Sequence, residues 1–317
     1  MNKLEKEIFE EKIGGVTINY EFYDDDAIVY NEGDDPEQTV LEAFRDEKDI
    51  FEILRNDNRW QILYQLAPQR QNIAIPMDIT ETDHVLEIGS GTGAITCALS
   101  KKAGSVDCID LSKRRSLANA YRNKSAANVS IYVGNFEEIA LSKQYDVAVV
   151  IGALEYARRY IKSDKPFEMF LKRARDALKP SGRIYIGIEN RLGLKYFAGD
   201  NEDHCGRPFA GIEGYINDTR REKAKTFSKS ELEKLLSDSG FGDLFFYYPM
   251  PDYKLPVLIY SDEHLPNAGD YVYAGVGGNY AAAGLKLFDD EKAFATLYGA
   301  KEFTVFANSF LVEARKI

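Results

Sequence analysis

The sequence predicts an α/β fold, a doubly wound sheet whose strands alternate with helices. Three observations carry this. A short apolar run at 84–88 leads straight into a glycine-rich turn and a helix start, Gly89-Ser90-Gly91-Thr92-Gly93-Ala94. Apolar runs then recur at 106–110, 130–133, 146–151 and 183–189, with helical stretches near 94–102, 113–126 and 165–178. That alternation marks a mostly parallel sheet with helices on its faces. At 317 residues the chain is long enough to bury a full core.

Taken in order, the chain opens on an acidic extension. Residues 1–50 hold 16 acids and 5 bases, which accounts for the whole net charge of −11. Nucleic-acid binding needs basic patches that neutralise phosphates, so this balance argues against it. Val16–Tyr23 and Ala27–Tyr30 read as strands split by Asp24-Asp25-Asp26, a hairpin pattern. Residues 36–66 read as helical. Pro36 opens them, Ile50, Ile53, Leu54, Trp60, Ile62, Leu63 and Leu66 form an apolar face, and Pro68 stops them. The expected division is an N-terminal acidic extension and helical lid over 1–80, then a main domain over 81–317. Residues 190–226 are rich in glycine and charge with little periodicity, as expected of a functional loop. Ser228 and Glu231 form a capping box before a helix at 229–239. Residues 245–248, 304–307 and 310–312 read as closing strands, with an insertion at 249–302.

No run of 18 apolar residues exists, and the N-terminus lacks an apolar signal core, so the expected location is cytoplasmic. Cys97, Cys108 and Cys205 show no metal-ligand spacing, and no metal is expected. Cys97 and Cys108 fall on core elements and read as small buried hydrophobes in a reducing compartment.

The glycine turn fits a nucleoside cofactor. Gly89-x-Gly91-x-x-Ala94 also satisfies the relaxed dinucleotide fingerprint, so the glycines alone do not choose. Three neighbours favour S-adenosylmethionine (SAM). Glu87 stands where an acid reaches a cationic amino-acid end. Gly93 completes G-x-G-x-G. Asp110 ends the next strand, where one carboxylate can hold two ribose hydroxyls.

The segments 86–93, Asp110-Leu111, Gly134-Asn135-Phe136, 146–155 and 178–183 together resemble a class I SAM-dependent methyltransferase. The resemblance implies a Rossmann-like sheet that ends in an antiparallel hairpin. It places Glu87, Gly89, Ser90, Gly91, Gly93, Asp110 and Leu111 at the cofactor. Asn135 and Phe136 are expected at the adenine, although related enzymes often carry Asp where Asn135 stands. Gly152 and Ala153 are expected beside the sulfonium. Arg70 and Tyr64, just before the first core strand, are candidates for the methionyl end; a guanidinium grips a carboxylate bidentately.

Further segments, 188–199, Glu202-Asp203-His204, 211–215 and 248–254, resemble a bacterial subgroup that accompanies glycosyltransferases in surface-polysaccharide assembly. This implies a sugar or glycan-linked acceptor, and as partner a glycosyltransferase or a further domain outside this chain. Glu155, Tyr156, Asn190, Lys195, Tyr196 and Arg207 are the candidates for contact with the acceptor. His204 is the candidate general base, with Asp203 beside it and Glu189 nearby, because imidazole titrates in the right range. His84 and His264 have duller settings, at a strand start and in an acidic loop. Two alternatives remain open: methylation of a terminal glycan phosphate, where Arg207 and Lys195 would matter more, and a non-catalytic cofactor-binding partner of a glycosyltransferase.

Overall fold

A computed structural model describes residues 10–25, 33–141, 144–216, 224–267, 269–270, 285–298 and 300–317. The chain forms two compact units, Met1–Leu66 with Asp78–Lys143, and Ala67–Met77 with Gln144–Ile317.

The first unit opens on a hairpin of β1 (Glu10–Ile13) and β2 (Val16–Asn19), turned at Gly14-Gly15. The expected hairpin lay one step later; its second strand, Ala27–Tyr30, falls outside the described residues. Helices α1 (Asp34–Arg45), α2 (Ile50–Asn56) and α3 (Trp60–Leu66) follow. Then come β3 (His84–Ile88), α4 (Ala94–Leu99), β4 (Ser105–Asp110), α5 (Lys113–Arg122) and β5 (Val129–Val133). β3, β4 and β5 are parallel neighbours, and β2 adds to β5, also in parallel. The N-terminal residues are thus built into this unit's own sheet. Val40 and Leu41 of α1 are buried with Ile62 and Leu66 of α3 and Ala118 of α5, and Ile50, Ile53 and Leu54 pack against them. Of the apolar face expected from the helical spacing, Ile62 and Leu66 are fully buried while Leu63 is exposed. The excess acids are partly paired: Asp34 with Arg114 at 2.9 Å, Asp35 with Arg59, and Glu47 with Lys124.

The second unit contains a 3-10 segment at Pro68–Ala74 and the strand β6 (Tyr145–Ile151). A 3-10 turn at Leu154–Tyr156 leads to α6 (Ala157–Tyr160) and α7 (Pro166–Ala177), then β7 (Leu178–Glu189) and α8 (Leu194–Phe197). After these come α9 (Lys229–Asp238), β8 (Phe241–Met250), β9 (Leu258–Ser261), α10 (Asp290–Ala295), α11 (Glu302–Phe306) and β10 (Ser309–Lys316). β6 and β7 are parallel; β10 lies antiparallel between β7 and β8, which supplies the expected closing hairpin. β9 extends the edge from within the insertion.

One expected strand is a helix. Thr304–Phe306 belong to α11, and the strand begins only at Ser309. The Thr-Val-Phe composition favours a strand, but the packing decides otherwise. Phe303 is fully buried, with its ring 5.8 Å from Tyr248 and 5.9 Å from Phe294, while Phe306, three residues on, meets Phe197 at 5.8 Å. Ala307 N–H donates to Phe303 O at 2.9 Å, a helical turn that puts the buried Phe303 and Ala307 on one face.

Candidate functional site

The glycine turn of the first unit joins β3 to α4. Gly91 has φ +54° and Gly93 φ +80°, the left-handed region where glycine is at ease. A Cβ on Gly93 would stand 2.2 Å from Asn119 Oδ1; one on Gly91 would stand 3.3 Å from the Arg115 guanidinium. The protein itself therefore crowds both glycines. Asp110 fastens the turn, with one carboxylate oxygen accepting from Gly91 N–H at 2.8 Å and the other from Ser112 N–H at 2.9 Å. A carboxylate oxygen accepts two hydrogen bonds, so each keeps capacity for a ribose hydroxyl. Thr92 donates to Gln65 of α3 at 2.6 Å, which ties the helical segment to the turn.

Glu87 is buried and accepts from Thr96 Oγ1 at 2.5 Å and from the Cys108 thiol at 3.4 Å. Cys108 is thus the buried core thiol expected, while Cys97 is half-buried. Leu111 stands half-buried between Asp110 and the α5 cap Ser112. Asn135 Oδ1 accepts from Glu137 N–H at 3.1 Å, a turn contact, and Phe136 beside it is buried. Tyr64 stacks on Trp60, with ring centres 5.5 Å apart.

The fit to a nucleoside cofactor rests on one polar atom above all. Ser90 Oγ is buried in the glycine turn without a hydrogen-bond partner. A buried hydroxyl left unmade costs about 1–3 kcal/mol, so a ligand that supplies its partner is favoured there.

The second unit carries the remaining candidates. Arg70 is buried in the 3-10 segment. Gly152 N–H donates to Gly187 O at 2.9 Å, and Ala153 beside it is half-buried. Around the carboxyl ends of β6 and β7 a dense charged cluster forms. Glu189 ends β7 and is fully buried; Glu155, from the 3-10 turn after β6, is 1% exposed. The loop after α8 brings Glu202, Asp203 and His204, and residues 252–254 bring Asp252, Tyr253 and Lys254.

His204 Nε2 lies 3.9 Å from Glu155 Oε1 and 4.0 Å from Glu189 Oε2, and Tyr156 meets the imidazole edge-on at 5.5 Å. Its Nδ1 pairs with Glu202 Oε1 at 3.0 Å. Glu202, not the adjacent Asp203, therefore orients the ring. Asp203 faces the other way and binds Lys195 Nζ at 2.8 Å, Tyr196 OH at 2.5 Å and Lys254 Nζ at 3.4 Å. Lys254 also pairs with Glu189 Oε1 at 2.5 Å, and Tyr253 OH donates to the same oxygen at 3.3 Å.

Burial and charge shift these groups strongly. Burial, reinforced by the Glu189 charge, pushes Glu155 up to about 8. Burial opposes charge on His204, but Glu189, Glu202 and Glu155 outweigh it and raise the imidazole to about 9. His204 is therefore a cation at neutral pH. Burial also works against ionising Asp203, yet Lys195 and Lys254 hold it well below the usual carboxylate range.

Other candidates are committed to the scaffold. Asn190 donates to Val305 O and Ala307 O, both at 2.7 Å, and accepts from Leu192 N–H at 3.0 Å, so its amide ties the end of β7 to α11. Arg207 is half-buried and gives its carbonyl to Glu202 N–H. His84 binds Ser105 at 2.7 Å, and His264 is exposed. The sequence assigned no role to Glu202, Asp252, Tyr253 or Lys254. Their signal was charge within a Pro- and Tyr-rich stretch, Tyr-Pro-Met-Pro-Asp-Tyr-Lys, and inside a glycine-rich loop.

Residues 86–184 match the family model described as a methyltransferase domain. Over those residues the chain carries a methyltransferase domain. Its cofactor is S-adenosylmethionine. The chain is 24% identical over 191 residues to the ubiquinone biosynthesis O-methyltransferase of Rickettsia bellii, covering 58% of this chain and 74% of that protein. Among solved structures it is similar to a SAM-dependent methyltransferase from Mesorhizobium loti, with 15% identity, 80% and 100% coverage and a TM-score of 0.45. It is also similar to phosphoethanolamine N-methyltransferase 1 of Haemonchus contortus, with 16% identity, 89% and 48% coverage and a TM-score of 0.47. Among the described residues, no helix of this methyltransferase is long and apolar enough to cross a membrane.

Proposed function

We propose that this methyltransferase transfers a methyl group to a hydroxyl of a sugar or glycan-linked acceptor, and that the charged cluster of the second unit is the acceptor site. The observation that carries this reading is Glu155. Its Oε1 lies 3.9 Å from His204 Nε2 and its Oε2 is buried without a hydrogen-bond partner, at the carboxyl ends of β6 and β7. Open α/β sheets bind ligands at that edge of the strands. An O-methyltransferase among the relatives supports the atom methylated. The acceptor class rests on the polysaccharide-assembly resemblance. Three of the four segments that carry that resemblance, 188–199, 202–204 and 248–254, supply the cluster's members other than Glu155.

In the proposed assignment, Asp110 takes the ribose and Ser90 donates or accepts beside it, with Glu87, Gly89, Gly91, Gly93 and Leu111 shaping the turn. Asn135, Phe136 and Tyr64 of the first unit are further cofactor candidates, and Gly152, Ala153 and Arg70 are those of the second. SAM supplies an electrophilic methyl group on a sulfonium. Methyl transfer needs orientation above all, and the cluster's buried side chains fix the acceptor. As the acceptor oxygen gains its methyl group, its proton must leave. In this reading Glu155 takes it where its carboxylate is ionised, above about pH 8, with His204 and Glu189 alongside.

The cluster's charge favours a hydroxyl over a phosphate. Among the described residues, Glu155, Glu189, Glu202, Asp203 and Asp252 form ion pairs with Lys195, Lys254 and His204, and both lysines are already paired with carboxylates. A phosphate would meet an excess of like charge.

The test is incubation with labelled SAM and a panel of nucleotide-sugars, glycan-lipid fragments and phosphorylated glycans, with the methylated atom located by NMR. The expected product is a methyl ether on a sugar. A methyl phosphate ester, or transfer to none of the sugars, would overturn the reading.

A further inference from the structure

The acidic cluster has one geometric property that proton transfer does not require. Glu155, Glu189 and His204 each offer a ligand atom, and these atoms all lie within 4.8 Å of one another. Among the described residues, no other three His, Cys, Asp or Glu side chains do so. Glu155 Oε1 and Glu189 Oε2 lie 3.9 and 4.0 Å from His204 Nε2. Glu189 Oε2 and the second oxygen of Glu155, Oε2, are buried with no hydrogen-bond partner, on side chains 0% and 1% exposed. Buried carboxylate oxygens left unsatisfied call for a cationic ligand.

We infer that Glu155, Glu189 and His204 form a binding site for a divalent first-row transition cation, Mn2+ or Zn2+. The donor set, two carboxylates and one imidazole nitrogen, suits such ions better than Ca2+ or Mg2+, which take oxygen ligands. Atoms 3.9–4.8 Å apart surround a centre roughly 2.3–2.8 Å from each. Metal–ligand bonds of about 2.0–2.2 Å then need only a small inward movement of each side chain.

The surroundings match a metal site. His204 Nδ1 is engaged by Glu202 at 3.0 Å, which fixes the ring and leaves Nε2 facing the two glutamates. A histidine ligand whose other nitrogen meets a carboxylate is the usual arrangement around a metal. Glu202 is itself held by the N–H groups of His204 and Cys205, at 2.9 and 2.6 Å, and by Tyr215 OH at 3.2 Å. Lys254 and Tyr253 occupy Glu189 Oε1 and leave Oε2 for the cation.

The inference deepens the proposed function and rests on it for the acceptor's place beside the cluster: a cation there polarises a bound hydroxyl and eases loss of its proton. Metal binding is measurable without any acceptor, so the two readings fail separately. The full chain is stripped with a chelator and titrated with Mn2+, with free Mn2+ followed by electron paramagnetic resonance, and then with Zn2+ in competition. One Mn2+ per chain is expected, displaced by Zn2+. Glu155→Gln and His204→Ala should each weaken binding at least tenfold, and Glu202→Gln by about 10–100-fold. His264→Ala, on the exposed loop, should bind as the parent does. The SAM-induced melting shift reports that each variant is folded, and the parent's own stoichiometry stands if one is not. No binding at millimolar Mn2+ or Zn2+, binding that survives both ligand substitutions, or stabilisation by ethanolamine with none by a metal would overturn the site.

Discussion

At the scale of single residues, Asp110 does two jobs, and the structure makes both testable. Its carboxylate holds Gly91 and Ser112 and is proposed to hold the ribose. Asp110→Ala should weaken SAM binding by roughly 1.5–3 kcal/mol, the range for hydrogen bonds to a charged group. Calorimetric titration checks this, and unchanged affinity in a folded variant would reject the assignment. The glycines differ in a way the sequence did not show. Gly93→Ala drives a Cβ into Asn119 Oδ1, while Gly91→Ala meets only the movable end of Arg115. Gly93→Ala should therefore lower the melting temperature more, although both carry about 1–3 kcal/mol of left-handed backbone strain. Equal losses would contradict the crowding argument. The charged residues were legible as types but not as pairs. Two adjacent acids, Glu202 and Asp203, precede His204, and only the folded loop decides that Glu202 takes the imidazole while Asp203 turns to Lys195.

At the scale of elements, regular patterns were legible and short or irregular ones were not. The capping box before α9 is present as read, with Ser228 accepting from Glu231 N–H and Glu231 accepting from Ser228 N–H. Ser228→Ala should cost about 1 kcal/mol, seen as a lower midpoint in urea unfolding; no change would mean that tertiary contacts alone hold the helix. The strands of 84–190 stand within one or two residues of the expected positions, except that β7 starts earlier, because buried parallel strands read as continuous apolar runs. α11 was misread because five residues are too few to show a helical period over β-forming side chains. The N-terminal region was read as a lid from its composition. Parallel pairing of β2 with β5 joins residues far apart in sequence, which composition does not reveal. Deleting residues 1–49 removes β2 and the buried Val40 and Leu41, so the truncated protein should be insoluble or markedly less stable. A soluble truncation with parental stability would show that α1 and β2 are dispensable.

At the scale of the whole molecule, chemistry is divided between two parts of the chain. The glycine turn and Asp110 belong to the first unit, and the carboxylate–histidine cluster to the second. The first was legible because its residues lie close together in sequence with fixed spacing. The second was half legible, since its members come from 155, 189, 202–204 and 252–254, and no local period links them. This division makes the two roles separable. The most direct measurement is single-turnover methyl transfer by Glu155→Gln, alongside its SAM affinity and the parent's. The account predicts a rate lower by about 10²-fold or more, as expected for loss of a proton acceptor, with SAM affinity within about twofold of the parent's. Near-parental transfer by a folded Glu155→Gln protein would contradict it.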